Sequence, residues 1–177
     1  MTLTFAREKL PPIWPEILRM GREHWNETEG YRHGLTFQPD AYRYFQFNEL
    51  PGVGELPFYS MFTARDGGKL AGYAGMYVTR SMHTQDVMAT EDTWFLLPEY
   101  RKGRNALAFY KYIEEICRAN GVIEIGMTAK LENGAGRILE YLGYTHVSRQ
   151  YSKFLQHRAD SATSDSVELG AAMSETA

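Results

Sequence analysis

The sequence predicts one α/β domain in which a mixed, mostly antiparallel central sheet is flanked by about four helices. Two apolar segments joined by a Gly-Gly turn predict an antiparallel hairpin between Phe58 and Val78. A strand, an amphipathic helix and a second strand follow between Val87 and Met127, and this order implies a right-handed crossover between parallel strands. The 177 residues allow one full core and leave little room for a second domain.

The composition is that of a globular protein without a strong charge bias. Hydrophobic residues make up 44% and charged residues 23%, and the net charge of −3 provides no positive field for nucleic acid or acidic membranes. No segment approaches the roughly 20 apolar residues that span a bilayer, and no signal peptide follows Met1. The single cysteine, Cys117, excludes an internal disulfide. We therefore expect a soluble, cytoplasmic protein.

The N-terminal part of the chain is predicted to hold one strand and two helices. Alternating apolar residues favour a strand over Thr2–Phe5. An apolar stripe, with prolines suited to a first helical turn, predicts a helix from about Ile13 to Trp25. A second helix should begin near Pro39-Asp40, because aspartate is favoured at the positive end of a helix. The Pro-Gly pair within Asn48–Gly54 predicts a loop.

The middle of the chain is predicted to be β-rich and to contain the clearest helix. That helix runs from about Gly103 to Asn120, where apolar residues recur at helical spacing on one face. Asn120-Gly121 is a strong stop, because both residues accept the left-handed conformation. Strands are predicted over Phe58–Ala64, Leu70–Val78, Val87–Leu97 and Val122–Met127.

The C-terminal part is predicted to end the domain and to continue as a tail. Asn133 can cap a fourth helix that Gly143 stops. The alternating segment Tyr144–Leu155 predicts one or two final strands. From Gln156 onwards the composition cannot bury enough apolar surface to offset its ordering entropy. We expect a domain over 1–155 and a disordered tail over 156–177.

A basic, glycine-containing turn before the long helix is a candidate anion site. The backbone N–H groups at a helix start are unpaired and lie at the positive end of the helix dipole, so a pyrophosphate can bind there. Gly103 lets the backbone approach closely, while Arg101, Lys102 and Arg104 add positive charge. A solvated basic turn before a surface helix would give the same pattern.

The segment Pro98–Ala106 resembles the acetyl-CoA-binding motif of the GNAT superfamily of N-acetyltransferases, whose usual form is P-E-Y-R-G-K-G-x-G or A. Arg101 and Ala106 match its ends, but glycine stands at position 103 and Arg104 replaces the usual second glycine. Phage and bacterial members with a Tyr-Arg-Lys-Gly-Arg form are similar. The resemblance covers residues 20 to 153 and includes His24-Trp25, Phe62–Asp66, Leu70–Tyr73, His83, Asp92 with Phe95 and Leu96, and Leu142–Tyr144.

This resemblance implies a V-splayed sheet with acetyl-CoA between the parallel strands beside the long helix. It also implies a set of cofactor contacts on the strand end, the turn and the fourth helix: Leu96, Leu97, Arg101, Lys102, Gly103, Arg104, Asn105, Ala106 and Asn133. The tyrosine that usually protonates the leaving thiolate would stand at position 139, where this chain has leucine. Tyr141 lies on another helical face.

Two neighbouring carboxylates, Glu91 and Asp92, are the candidate catalytic residues. Acetyl transfer to an amine requires the ammonium to lose a proton, so a carboxylate beside the thioester is useful. Strand alternation would put Asp92, Trp94 and Leu96 on one face and Glu91, Thr93 and Phe95 on the other. Similar family members carry aspartate at position 92, which favours Asp92. Both acids could instead be solvated, or Asp92 could pair with an arginine.

Four residues are candidates for binding the acceptor: His24, Trp25, Glu27 and His83. The first helices normally wall the acceptor site in this fold. An aromatic ring and a carboxylate could hold an amine through cation–π and ionic contacts, and a histidine could relay a proton. Alternatively, Trp25 is a core residue and His83 is an ordinary loop residue. The His24 and Glu27 side chains are then simply solvated. No His or Cys spacing suggests a metal site.

These patterns predict an acetyl-CoA-dependent N-acetyltransferase that transfers the acetyl group directly to an amine. The acceptor would be a small molecule or a protein, with no nucleic acid or membrane partner, and a homodimer is compatible with the sequence. The alternative is a binding module of the same fold, such as an inhibitor of a host factor, that does not turn over.

Overall fold

The computed structural model describes residues 2–30, 35–131 and 133–153. The predicted tail and the boundary after residue 155 lie outside these ranges, as do the last two residues of the predicted C-terminal strands. The elements are β1 (Thr4–Glu8), α1 (Leu10–Thr28), α2 (Ala41–Glu49), β2 (Pro51–Val53), β3 (Leu56–Pro57), β4 (Tyr59–Asp66), β5 (Lys69–Arg80), β6 (Val87–Leu96), α3 (Asn105–Ala119), β7 (Val122–Gly126) and α4 (Ala135–Tyr141), with a 3₁₀ turn at Pro98–Tyr100.

The central sheet has the strand order β1-β4-β5-β6-β7. Its strands pair antiparallel except β6 and β7, which are parallel because α3 carries the chain back across the sheet. The β4–β5 hairpin turns at Gly67 and Gly68, whose φ angles of 55° and 91° suit glycine. The predicted fold class, a mixed and mostly antiparallel sheet with four flanking helices, is confirmed.

Helices cover both faces of the sheet and create two apolar cores. On one face α3 packs its buried stripe, which includes Phe109, Ile113 and Cys117, against the sheet. On the other face α1 buries Leu10, Ile13, Ile17 and Met20, and the sheet supplies aromatic partners there: Tyr59, Tyr73 and Phe95. Side chains on the two faces of β6 therefore lie in two different cores, one against α3 and the other against α1.

Three local predictions differ from the structure. Part of the predicted loop at Asn48–Gly54 is strand β2, which pairs with β3; glycine is needed there because a Cβ at Gly52 would lie 2.4 Å from the Leu56 carbonyl oxygen. The N-cap of α4 is Gly134, with a φ of 65°, and the Asn133 side chain bonds the Ala135 amide from one residue earlier.

The third difference is at the end of the described chain. Residues 144–153 form no strand, although their polar–apolar alternation predicts one or two. Val147 is 83% exposed and Tyr151 is 87% exposed. Alternation makes a strand only where a neighbouring strand accepts its hydrogen bonds, and within the described ranges no strand pairs with this segment.

Candidate active site

The pairing of β6 with β7 ends partway along β6. The two strands pair only from Val87 with Val122 to Thr90 with Gly126, while β6 continues to Leu96. Beyond Thr90 the described residues supply no strand on this side of β6. The Thr128 amide reaches Glu91 Oε2 at 3.1 Å across the beginning of the gap. The second half of β6 thus has no strand partner on this side in the described part of the chain, and we call the space beside it the cleft.

Backbone groups of β6 point into this cleft at alternate residues. The Leu97 amide donates to the Ala71 carbonyl oxygen at 2.9 Å, so it is already bonded towards β5. In an antiparallel pair the hydrogen-bonding direction alternates along the strand, so the amides of Trp94 and Leu96 point away from β5. Of the two predicted strand-end contacts, the structure therefore gives Leu96, and not Leu97, an amide directed into the cleft.

A β-bulge at Asp92 decides which carboxylate lies on which face. Gly75 pairs with Thr93 and Met76 pairs with Glu91, so Asp92 is an extra residue in β6. The extra residue reverses the alternation, and the predicted faces of both carboxylates are wrong. Asp92 lies on the α1 face of the sheet, which Phe95 shares, and Glu91 lies on the α3 face, which Leu96 shares.

The Asp92 carboxylate lies within a group of tyrosines. The Tyr59 hydroxyl donates to Asp92 Oδ2 at 2.8 Å, and the Tyr77 hydroxyl lies beside the same carboxylate. Tyr44 of α2 packs on Tyr59 with ring centroids 5.3 Å apart. We call Asp92, Tyr44, Tyr59 and Tyr77 the tyrosine cluster. Its carboxylate remains accessible to solvent at the surface of the sheet.

The electrostatics of the two carboxyls follow from these surroundings. Burial raises the pKa of Asp92, and the hydrogen bonds from Tyr59 and Tyr77 partly offset this rise. Burial is also the main reason that the pKa of Glu91 is raised, against the lowering effect of the Thr128 amide. No ion pair involves Asp92 in the described part of the chain. The predicted alternative of a structural Asp92–arginine pair is therefore wrong for these residues.

The start of α3 keeps the features of an anion site. Gly103 has a φ of 73°, and no side chain caps the first turn of the helix. Lys102 and Arg104 are exposed at this turn. Asn105 uses its side-chain amide to donate to the Tyr100 carbonyl oxygen at 3.1 Å, while Ala106 is buried at 8% exposure. The first-turn amides and two cations are thus available on the solvent side.

Arg101 and Glu27, predicted to bind different ligands, bind each other. Arg101 Nη1 and Nη2 contact Glu27 Oε1 and Oε2 at 2.7 Å each, and Arg101 Nε donates to the Leu96 carbonyl oxygen at 2.7 Å. The guanidinium also lies over the Phe95 ring, 5.1 Å from its centroid. This bidentate pair attaches α1 to the turn before α3, and neither charge is free.

His24 lies on the Asp92 face of the sheet. Its Nδ1 is 3.0 Å from the Tyr73 hydroxyl and 3.1 Å from Thr93 Oγ1, and its ring stacks on Phe95 at 4.7 Å. Burial lowers the pKa of His24 to about 4, against the opposing effect of the Glu27 carboxylate. The imidazole is therefore neutral at pH 7, and its ring positions Tyr73 and Thr93.

Three other residues were predicted to be in the site. They lie away from Asp92 or already use part of their hydrogen-bonding capacity within the protein. Trp25 is half-buried and packs against Phe37 with centroids 6.1 Å apart. His83 is exposed in the β5–β6 turn, beyond Val87, and β6 runs about 17 Å from Val87 to Asp92, which is five positions further along the strand. Asn133 Oδ1 is 3.0 Å from the Ala135 amide, which leaves its Nδ2 group as a donor.

The helix α4 offers no general acid at the expected position. Leu139 is buried at 7% exposure, and Tyr141 is 77% exposed. Over the ranges that the structure describes, no three His, Cys, Asp or Glu side chains gather in a way that could hold a metal ion. The helices in those ranges include none with the length and apolar character needed to cross a membrane.

Sequence reasoning missed the residues that surround Asp92, namely Tyr44, Tyr59, Tyr77 and Gly75. The Gly-Gly turn alone would pair Tyr59 with Met76, and a register shift between Ala64 and Arg65 places Tyr59 opposite Tyr77 instead. The bulge that brings Asp92 to them has no compositional signature. Tyr44 comes from a helix whose docking on the sheet cannot be read from periodicity.

Comparison with known proteins shows what fold this is. No protein-family model matches the sequence, and no curated protein matches it. An aminoglycoside acetyltransferase from an uncultured soil metagenomic sample superposes with a TM-score of 0.70 at 15% identity, over 88% of this chain and 100% of that one. A ribosomal-protein-alanine N-acetyltransferase from Brucella melitensis biovar Abortus 2308 gives 0.62 at 15% identity, over 88% and 99%.

A third neighbour, a soil metagenomic aminoglycoside acetyltransferase in complex with sisomicin, gives a TM-score of 0.65 at 11% identity, over 89% of this chain and 97% of that one. All three likenesses extend over nearly the whole of each neighbour. At these identities they establish the fold, and the chain therefore has the fold of the GNAT-type acetyltransferases.

Proposed function

We propose that this protein is an acetyl-CoA-dependent N-acetyltransferase that moves an acetyl group directly to an amine. The observation that carries the proposal is the cleft beside β6, which has Asp92 at one end and the uncapped, basic start of α3 beyond the other. The strand from Asp92 to Leu96 spans about 13 Å between them. Structural neighbours that are acetyltransferases support the same reaction class.

The residues of the cleft fit coenzyme A. The first-turn amides of α3, with Lys102 and Arg104, suit a pyrophosphate, and the amides of Trp94 and Leu96 suit the amide-containing arm. Asn133 Nδ2 is a further donor for that arm. The segment Pro98–Ala106 is interpreted as a variant of the acetyl-CoA motif in which Arg101 has become structural. When bound, acetyl-CoA supplies a thioester carbonyl carbon to the amine and releases coenzyme A.

Asp92 is the proposed base. Its Oδ atoms accept a proton from the acceptor ammonium, and a pKa raised by burial makes it a stronger base than an ordinary aspartate. The Tyr59 hydroxyl fixes the orientation of the carboxylate. Leu139 has no proton to give, so the proton for the leaving sulfur comes from solvent that reaches the cleft. Glu91, on the other face, holds the Thr128 amide across the cleft.

Calorimetric titration with acetyl-CoA tests the cofactor site. We expect binding in the micromolar range and a loss of about three- to tenfold in affinity for Arg104→Ala and for Lys102→Ala, because each removes one charge from a phosphate site. Lys111→Ala, which removes an exposed cation from the next turns of α3, should leave affinity unchanged. Absence of binding at high micromolar acetyl-CoA would refute the proposal.

A screen of amines with labelled acetyl-CoA, read by mass, tests turnover. We expect a mass increase on at least one acceptor, and an increase at least about 10²-fold slower with Asp92→Asn. Cofactor binding with no transfer to any amine in the screen would instead favour the alternative, a binding module that uses the same fold without turnover.

A further inference from the structure

The Asp92 carboxylate has an incomplete set of partners. It accepts a hydrogen bond from Tyr59 at 2.8 Å and a second from the Tyr77 hydroxyl, and it pairs with no cation in the ranges that the structure describes. Asp92 is exposed at one side, but the neighbouring rings remove part of its hydration, and a cation bound there would compensate for that loss. Since solvent reaches Asp92, the missing cation can come from outside.

The rings of the tyrosine cluster surround this carboxylate. Tyr44 and Tyr59 are inclined by 55° with centroids 5.3 Å apart, and Tyr59 and Tyr77 by 62° at 5.1 Å. Rings inclined in this way do not cover each other's faces completely. Tyr44 and Tyr77 are only half-buried. Burial is the main reason that the pKa values of all three tyrosines are raised, and the charge of Asp92 adds to the rise.

The surroundings of the cluster are apolar. Tyr77 packs against Phe58 and Phe47, with centroids 5.6 and 6.5 Å away, and Tyr44 packs against Trp14 at 5.9 Å. An acceptor rich in hydroxyl groups would need many polar partners here. An unbranched methylene chain needs none, because aromatic side chains bury it favourably.

We infer that the tyrosine cluster binds the acceptor as a primary ammonium group carried on an alkyl chain, with Asp92 as counter-ion and the tyrosine rings around the methylene groups next to the nitrogen. The inference rests on the proposed function, since it names the substrate class of the same site. A free alkylamine and a lysine side chain share this chemistry. A carboxylate together with aromatic faces is the arrangement that recognises organic cations.

Direct binding tests the inference without requiring turnover. The probes are n-butylammonium and n-butanol, which match in shape and differ in charge, and binding is followed through the aromatic NMR signals of the full chain. We expect saturable n-butylammonium binding that is at least about tenfold tighter than that of n-butanol. Equal binding of the two probes, or no binding of n-butylammonium, would overturn the inference.

Variants identify the groups responsible. Asp92→Asn should weaken n-butylammonium binding by about tenfold or more, because it keeps the shape and removes the charge. Tyr44→Leu should weaken it by about fivefold, and Tyr44→Phe, which keeps the ring, by less than about twofold. Unchanged affinity in Asp92→Asn, or equal losses in the two Tyr44 variants, contradicts the inference. Retained acetyl-CoA binding shows that each variant is folded.

Two further probes separate the sources of the amine. Nα-acetyl-lysine methylamide binding more tightly than n-butylammonium supports a lysine side chain as the acceptor, and equal binding supports a free alkylamine. Glucosamine binding more tightly than both would overturn the inference. Because acetyl-CoA binding is measured separately, loss of alkylammonium binding with an intact cofactor site refutes this inference and leaves the proposed function standing.

Discussion

The Tyr59 hydroxyl reaches Asp92 through space that position 75 leaves empty. The bond to Asp92 Oδ2 measures 2.8 Å, and a Cβ at Gly75 would lie 2.0 Å from the Tyr59 hydroxyl oxygen and 2.6 Å from its ring carbon Cζ. Gly75 is adjacent to the bulge that exposes Asp92. The glycine therefore makes room for the hydrogen bond, in the same part of the sheet where the bulge presents the carboxylate.

Gly75→Ala should break this contact. The Tyr59 ring is 1% exposed and cannot move away freely, so we expect a loss of about 1–3 kcal/mol in the free energy of unfolding, measured by denaturant titration. The comparison is Gly136→Ala in α4, where the nearest atom to a new Cβ is 3.8 Å away. That change should be neutral or stabilise by up to about 1 kcal/mol. Equal stability of the two variants would show that Tyr59 repacks without cost.

We expect Arg101 to stabilise the folded protein through its pair with Glu27 and to contribute only weakly to acetyl-CoA binding. The Arg101 and Glu27 side chains are 38% and 40% exposed, so solvent screens their pairing. A double-mutant cycle with Arg101→Gln and Glu27→Gln should give a coupling of about 0.5–1 kcal/mol in unfolding. Acetyl-CoA affinity of Arg101→Gln should stay within about threefold of the parent, in contrast to the larger loss for Arg104→Ala. A larger effect at Arg101 than at Arg104 would return Arg101 to the cofactor site.

The Arg101–Glu27 pair is a feature of the structure that the sequence does not predict. The order of strands and helices follows from apolar periodicity and from the Gly-Gly and Asn-Gly turns, whereas the choice of the basic turn and of Asp92 as site residues depended on the resemblance to the acetyltransferase motif. The Arg101–Glu27 pair joins residues 74 positions apart, and neither residue type carries a mark of its partner. The bulge at Asp92 adds one residue to a strand without a change in composition, so alternation assigned both carboxylates to the opposite faces.

His24 should make stability depend on pH below neutrality. Its folded-state pKa is about 4 because of burial, against 6.5 unfolded, so between these values the unfolded chain binds the proton more readily. The contribution of neutral His24 to the free energy of unfolding is then fully present above pH 6.5. It falls by on the order of 3 kcal/mol as the pH drops to 4. The charged groups facing His24 are Glu27, Glu29, Arg101 and Lys130.

The measurement is the free energy of unfolding between about pH 4 and 8 for the parent and for His24→Gln. Glutamine keeps a hydrogen-bonding side chain and does not titrate, whereas all other acidic groups are common to the two proteins. The parent should lose more stability than the variant over this range. Parallel pH profiles would mean that His24 is as easily protonated in the folded state as in the unfolded chain.

The two carboxylates on opposite faces of β6 provide the last prediction. If the acceptor binds on the α1 face, Asp92→Asn should lower kcat/KM for acetyl transfer by about 10²–10⁴-fold, because it removes the base. Glu91→Gln should lower it by less than about tenfold, since the side-chain carbonyl of the introduced glutamine can still accept the Thr128 amide hydrogen bond. In the parent, kcat/KM should rise with pH through the raised pKa of Asp92 and then level off, and this rise should be absent in Asp92→Asn. A greater loss in Glu91→Gln would place the chemistry on the α3 face, which the bulge assigns to Glu91.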